Sequence, residues 1–237
     1  MQMHTFEDDL EALRLLAPPV RTREDFSRIR LETAALREAG ERGKSSDTPA
    51  LHDFNVRQAR CKNIQSSIQA KAAAQPDAFI SYVQGLNLSE MDQAFKYSDL
   101  IEAIIGNCSQ WREFLLNELD RVLLLYEQSN SASVLQALQG FAFLEFCRDS
   151  SVTEAISERY AAALCSRSRA VRLLALNIFS GFRISNNATL HEALSECLSQ
   201  ADWKVRWEAE KVLAEAHLLP IRYRPSLADR IRRRLTT

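Results

Sequence analysis

The stretch ADWKVRWEAEKVLAEAH, residues 201–217, decides how the rest of the chain is read. Asp202 stands three residues before Val205, where a side-chain oxygen can cap the first turn of a helix. Val205, Ala209, Val212 and Leu213 then fall on one face at helical spacing. The same face recurs upstream. Val171 lies 34 residues before Val205, and Val134 lies 37 before that, with the capping residues Ser168 and Ser131 three positions ahead of each. Leu138 and Ala175 take the place of Ala209, Phe141 and Ile178 that of Val212, and Ala142 and Phe179 that of Leu213. A second face precedes each valine: Leu119, Ile156 and Leu190 fifteen residues ahead, Leu123, Tyr160 and Leu194 eleven ahead. The unit is therefore two antiparallel helices joined by a short turn, with a period in the mid-thirties. One pair cannot bury its own apolar face, so the pairs are expected to stack.

The segments LHEALSECLSQADWKVRWEAEKVLAEAH (190–217) and ISERYAAALCSRSRAVRLLALNIFSGF (156–182) resemble HEAT repeats. In that family a polar turn, often with Asp, leads into Val-Arg and then small and apolar residues. Asp202, Val205, Arg206, Ala209 and Leu213 match it best. The middle copy keeps Val171, Arg172 and Ala175 but has Ser168 for the acid, and the copy at 119–147 keeps Val134 but has Leu135 for the arginine. A further unit at about 77–106 is suggested by helix content. The resemblance covers roughly half the chain. It implies an all-α, right-handed α-solenoid of HEAT-like helix pairs, and for the repeat arginines a ladder to turn acids such as Asp202.

The N-terminal third is organised differently. Residues 5–16 form a short amphipathic segment ended by Pro18 and Pro19. Thr22 can cap a helix whose apolar side carries Phe26, Ile29, Thr33 and Leu36, ending near Gly40 and Gly43. GKSSDTP, residues 43–49, reads as a linker. A long helix over about 50–74, with Phe54, Cys61, Ile64 and Ile68 on one face, is closed by Pro76. Three regions follow: a helical hairpin over 1–75, HEAT-like repeats over 76–220, and a basic tail over 221–237.

Only six glycines and six prolines interrupt 237 residues dominated by strong helix formers. The net charge of −1 is unevenly placed: residues 221–237 hold six arginines against one aspartate, a local +5, which leaves −6 on residues 1–220. Apolar runs fall short of a membrane span, and the N-terminus lacks the pattern of a signal peptide, so a cytoplasmic protein is expected. The five cysteines, Cys61, Cys108, Cys147, Cys165 and Cys197, form no C-x-x-C pair and read as buried free thiols of a reducing compartment.

No catalytic constellation stands out. His191-Glu192 begins a zinc-protease look-alike, but Ser195 occupies the place of the second histidine. Glycine loops that cradle phosphate and the nucleophile elbow G-x-S-x-G are missing, and neither a metal nor a cofactor is called for. The remaining signals gather at the C-terminal end. Trp203 and Trp207, four apart, share a helix side, and Lys211 lies nearby in the sequence. They either cover the end of the stack or anchor a partner beside Arg206. In the tail, Ser226 can cap a last helix with Leu227, Ile231 and Leu235 on its apolar side and Arg230, Arg232, Arg233 and Arg234 around it. Those cations either serve the helix dipole or form a handle for an acidic protein, RNA or an anionic surface. The expected function is non-catalytic protein binding, as a scaffold, adaptor or inhibitor of the immunity-protein kind. The alternative is nucleic-acid binding or processing, as in HEAT-like DNA glycosylases, through the tryptophans and the arginine tail.

Overall fold

The computed structural model describes residues 6–16, 49–141, 149–178, 187–219 and 223–236. Among these residues the chain is all-α, with eleven helices and no strand. Two compact units are formed, by residues 1–86 and 87–237. The helix expected over residues 22–40, and the linker at 43–49 apart from Pro49, lie outside the described residues.

The first unit contains α1 (Phe6–Leu16), α2 (Pro49–Ala74) and α3 (Pro76–Gln84). Pro76 ends α2 and opens α3, because proline tolerates the first turn of a helix but not its interior. α1 packs on α2, and Leu10, Ile68, Ala72, Phe79 and Val83 are buried. Two polar ties orient α1: Asp9 accepts from Lys71 at 2.7 Å and from Ser67 at 3.2 Å, and Glu7 accepts from the Tyr82 hydroxyl.

The second unit contains α4 (Met91–Ile105), α5 (Arg112–Ser129), α6 (Ala132–Gln139), α7 (Ser150–Leu164), α8 (Arg169–Ile178), α9 (Ala188–Cys197), α10 (Trp203–Glu215) and α11 (Leu227–Thr236). Its helix starts follow the local chemistry. Ser131 accepts from the Ser133 amide, Ser168 from Val171, Asn187 from Leu190, and Asp202 from Lys204 and Val205. Asp149 caps α7 in the same manner, and the hydroxyls of Ser109 and Ser151 hold its carboxyl down at about 2. Asn130 ends α5 in the left-handed region, φ 47°, which asparagine tolerates better than most residues.

The repeated apolar face is buried where it is described, and Ala142 and Phe179 lie outside the described residues. Val134, Val171 and Val205 are all at most 5% exposed, and Leu138, Ala175 and Ala209 are fully covered. Leu119, Ile156, Leu190, Tyr160 and Leu194 are buried on the preceding helices, while Leu123 is half-buried. α5 pairs with α6, α7 with α8, and α9 with α10. Along the chain α5 packs on α7, α7 on α9, and α8 on α10. Two contacts fix the direction of α5 against α7: Arg159 binds Asp120, and Ser166, just past the end of α7, binds Glu127, both at an offset of 39 residues. A constant offset means that these two helices run in the same sense.

α4 enters through a buried polar triad. Glu118, 1% exposed, accepts from the Tyr97 hydroxyl at 2.9 Å and from Arg121 at 2.6 Å. Burial, then the Glu118 carboxylate, pushes the Tyr97 hydroxyl far above its ordinary range. α4 also crosses very close to the end of α6, where a Cβ on Gly140 would come within 2.7 Å of the Ser98 carbonyl oxygen and 3.2 Å of Ile101 Cβ. Backbone cannot yield as a flexible side chain does. Gly140→Ala is therefore expected to cost about 1–3 kcal/mol of stability in denaturant melts. A variant as stable as the parent would show that α4 and α6 are not held this close.

Candidate functional site at the α10–α11 end

The expected site residues separate into two groups. On α10, Trp203 and Trp207 stack with ring centroids 5.9 Å apart and planes 19° apart. The Lys211 ammonium lies 4.5 Å from the centre of the Trp207 ring, and the Arg233 guanidinium, brought in by α11, lies 5.7 Å from it. Indole faces attract cations, so the half-buried rings and the two cations form one aromatic–cationic ladder. Both cations also have carboxylate partners. Lys211 binds Glu208 at 3.0 Å, and Arg233 binds Glu210 at 2.6 Å.

Arg206 is wholly engaged in structure. Its Nη1 donates to the carbonyls of Gln200 and Ala201, in the turn before its own helix. Its Nε and Nη2 form a fork on Asp229, at 2.7–3.1 Å, and the Asp229 side chain is 2% exposed. Arg172 repeats the first of these interactions, donating to Ser166 O at 2.6 Å and Arg167 O at 3.1 Å. The carbonyl offsets, six and five residues back, are the same for both arginines. The ladder to Asp202 exists, but Arg169 supplies it. The difference is geometric: the repeat arginine curls back onto its own turn, which leaves the acid to the first residue of the preceding pair's second helix.

Arg206–Asp229 and Glu210–Arg233 share one offset, 23 residues. The facing pattern, cation then acid on α10 and acid then cation on α11, makes the two helices run in the same sense. This zipper was open to detection in the sequence, since opposite charges four apart on both helices match at a single offset. The other group, Arg230, Arg232 and Arg234, lies exposed on α11 away from the ladder. Arg232 stays within 4.0 Å of Asp229.

The apolar side of α11 is the clearest departure from expectation. Leu227, Ile231 and Leu235 are 70%, 51% and 81% exposed, whereas Asp229 is buried. α11 therefore docks by its charged face, because the guanidinium and carboxylate of α10 offer it paired charges.

The cysteines also divide. Cys197 is a buried thiol as expected, but the Cys61 thiol is half-buried, the Cys165 thiol is exposed and Cys108 is disulfide-bonded, which corrects the expectation of buried free thiols throughout; Cys147 lies outside the described residues. The cytosolic reading loses the support it drew from that expectation. Burial, with the nearby Glu196 carboxylate, raises the Cys165 thiol, and burial raises Cys197 to about 11, so neither is an activated nucleophile. A shallow groove of about 380 Å³ lies between α5, α7 and α8, floored by Leu123, Leu124, Ala162, Ala163 and Val171 and edged by the Asp120–Arg159 pair.

Comparison of the chain with protein-family models, with curated proteins and with solved structures finds no match in any of the three. What the structure defines is a class, an all-α protein in which no described helix is long and apolar enough to cross a membrane.

Arg206 holds Asp229 below the usual carboxyl value; burial opposes the shift, and Ser226 assists it. Asp202 is raised by burial but lowered more by Arg169 and the Lys204 and Val205 amides. A depressed carboxyl stabilises the fold above its unfolded value, 3.8 here, and that stabilisation is lost as pH falls through the folded value. Hydrogen-exchange protection of residues 227–235 should therefore be constant near neutrality and fall away below pH 3.8. Arg206→Ala, which strands a buried carboxylate worth about 3–5 kcal/mol, should remove that protection at neutral pH and open the α11 arginines to trypsin. Full protection in the variant would mean that α11 is held by something else.

Proposed function

We propose that this protein is a non-catalytic protein-binding module, a right-handed α-solenoid of HEAT-like helix pairs acting as a scaffold, adaptor or inhibitor of the immunity-protein kind. The solenoid part rests on nearest-neighbour packing of the pairs, on α5 and α7 running in the same sense, and on the shared arginine clamp. The binding part rests on one observation above all. The cations beside the indoles are already matched by carboxylates of the same chain, while Trp203 and Trp207 stay half-exposed. Neutralised cations contribute little to phosphate tracking, whereas a preorganised aromatic pair is what protein interfaces use as an anchor. Arg206, Arg233 and Lys211 then position the anchor, and the indoles make the contact.

The test uses the full chain as bait, with Trp207→Ala beside it, and titrates whatever protein is retained. The alanine variant should weaken that complex by about 1–4 kcal/mol with its helical circular dichroism intact. The nucleic-acid reading has a different outcome. Generic DNA or RNA would bind with a steep salt dependence, and each glutamine placed at Arg230, Arg232 or Arg234 would flatten the slope by about one unit per lost phosphate contact. Undiminished protein binding by Trp207→Ala would move the site off this face.

A further inference from the structure

α11 holds its hydrophobic side outward. Its charged face is locked to α10 through Asp229 on Arg206 and Arg233 on Glu210, so Leu227, Ile231 and Leu235 project as a ridge at i, i+4 and i+8. At 100° per residue, Arg230 and Arg234 fall on one flank of this ridge and Arg232 on the other. The one carboxylate of the helix, Asp229, is buried beneath it, which leaves an outer surface of three aliphatic side chains and exposed guanidinium groups.

We propose that α11 is an in-plane docking helix for the surface of an anionic lipid bilayer. The ridge would enter the boundary between headgroups and acyl chains, and the flanking arginines would meet the headgroup phosphates and carboxylates. Three features favour a bilayer over other anionic partners. Nucleic acid gains nothing from covering aliphatic side chains. A stable protein interface needs a broader apolar core, and these three are the only large apolar side chains exposed among the described residues 203–236. The helix is also held rigid with its apolar side out, which removes the ordering cost that a free tail meets at a membrane. The acidic body, −6 over residues 1–220, is repelled by the same surface, so contact is confined to the tail.

The experiment is co-sedimentation of the full chain with vesicles of phosphatidylcholine alone, or with ~30 mol% phosphatidylserine, at low and high salt. Binding is expected with the anionic vesicles only, fading with salt. Ile231→Ser with Leu235→Ser should lower it at least about tenfold, since each buried methylene adds to interfacial affinity. Arg230→Gln and Arg234→Gln should each lower it about fivefold. All four positions are exposed, and unchanged thermal melts will show that the fold is kept. Absence of binding to anionic vesicles overturns the proposal. So does binding that survives the serine changes undiminished, because adsorption by charge alone leaves the ridge without a role. Loss of a retained acidic protein in the serine variant, with no vesicle binding by the parent, would assign the ridge to a protein groove instead.

Discussion

The guanidinium of Arg206 is the point on which the C-terminal end depends. Its flat fork reaches two turn carbonyls, Gln200 and Ala201, on one side and a carboxylate, Asp229, on the other. Lysine, with one compact charge, could not serve both at once. The turn before α10, the helix itself and α11 are thereby joined through a single side chain. Arg172 makes only the first half of this arrangement, closing the turn before α8. The same residue type is thus a local clasp in one pair and a clasp with a tether in the next.

Much of the fold was legible because its signals are local or periodic. Ser131, Ser168 and Asp202 cap helices wherever they stand, since a short polar side chain reaches the amides two or three residues on whatever surrounds it. Val134, Val171 and Val205 are buried because a helix side that recurs every mid-thirties residues must find a neighbour. What stayed hidden depends on which helix meets which. Amphipathicity placed Leu227, Ile231 and Leu235 on one side of α11 but could not say that this side faces outward. That outcome is decided by Arg206 and Glu210 on another element. Trp203, Trp207, Lys211 and Arg233 do assemble, whereas Arg230, Arg232 and Arg234 belong to a different surface of the same helix. Cys108 shows the limit of counting cysteines: spacing along the chain carries no information about which sulfurs meet in space.

Several polar groups of the second unit join one α-helix to the next. Glu118 is buried, yet Tyr97 and Arg121 complete its hydrogen bonds, so a charge that would be very costly alone becomes a specific joint between α4 and α5. Partial burial and the Glu196 carboxylate raise the exposed Cys165 thiol, and fuller burial raises Cys197 to about 11. At the tryptophans the same logic yields a surface, because the cations that steady Trp207 approach its ring while each is balanced by a glutamate.

The common offset of 23 residues across α10 and α11 has a consequence for assembly. Where pairs stack here, a first helix lies on the first helix of the pair before and runs with it, as α7 does on α5. α11 lies alongside α10 pointing the same way, so it takes the place that the second helix of a following pair would fill. A second molecule offering another such pair would find that place already filled by a helix fastened by charge, with its oily edge turned elsewhere.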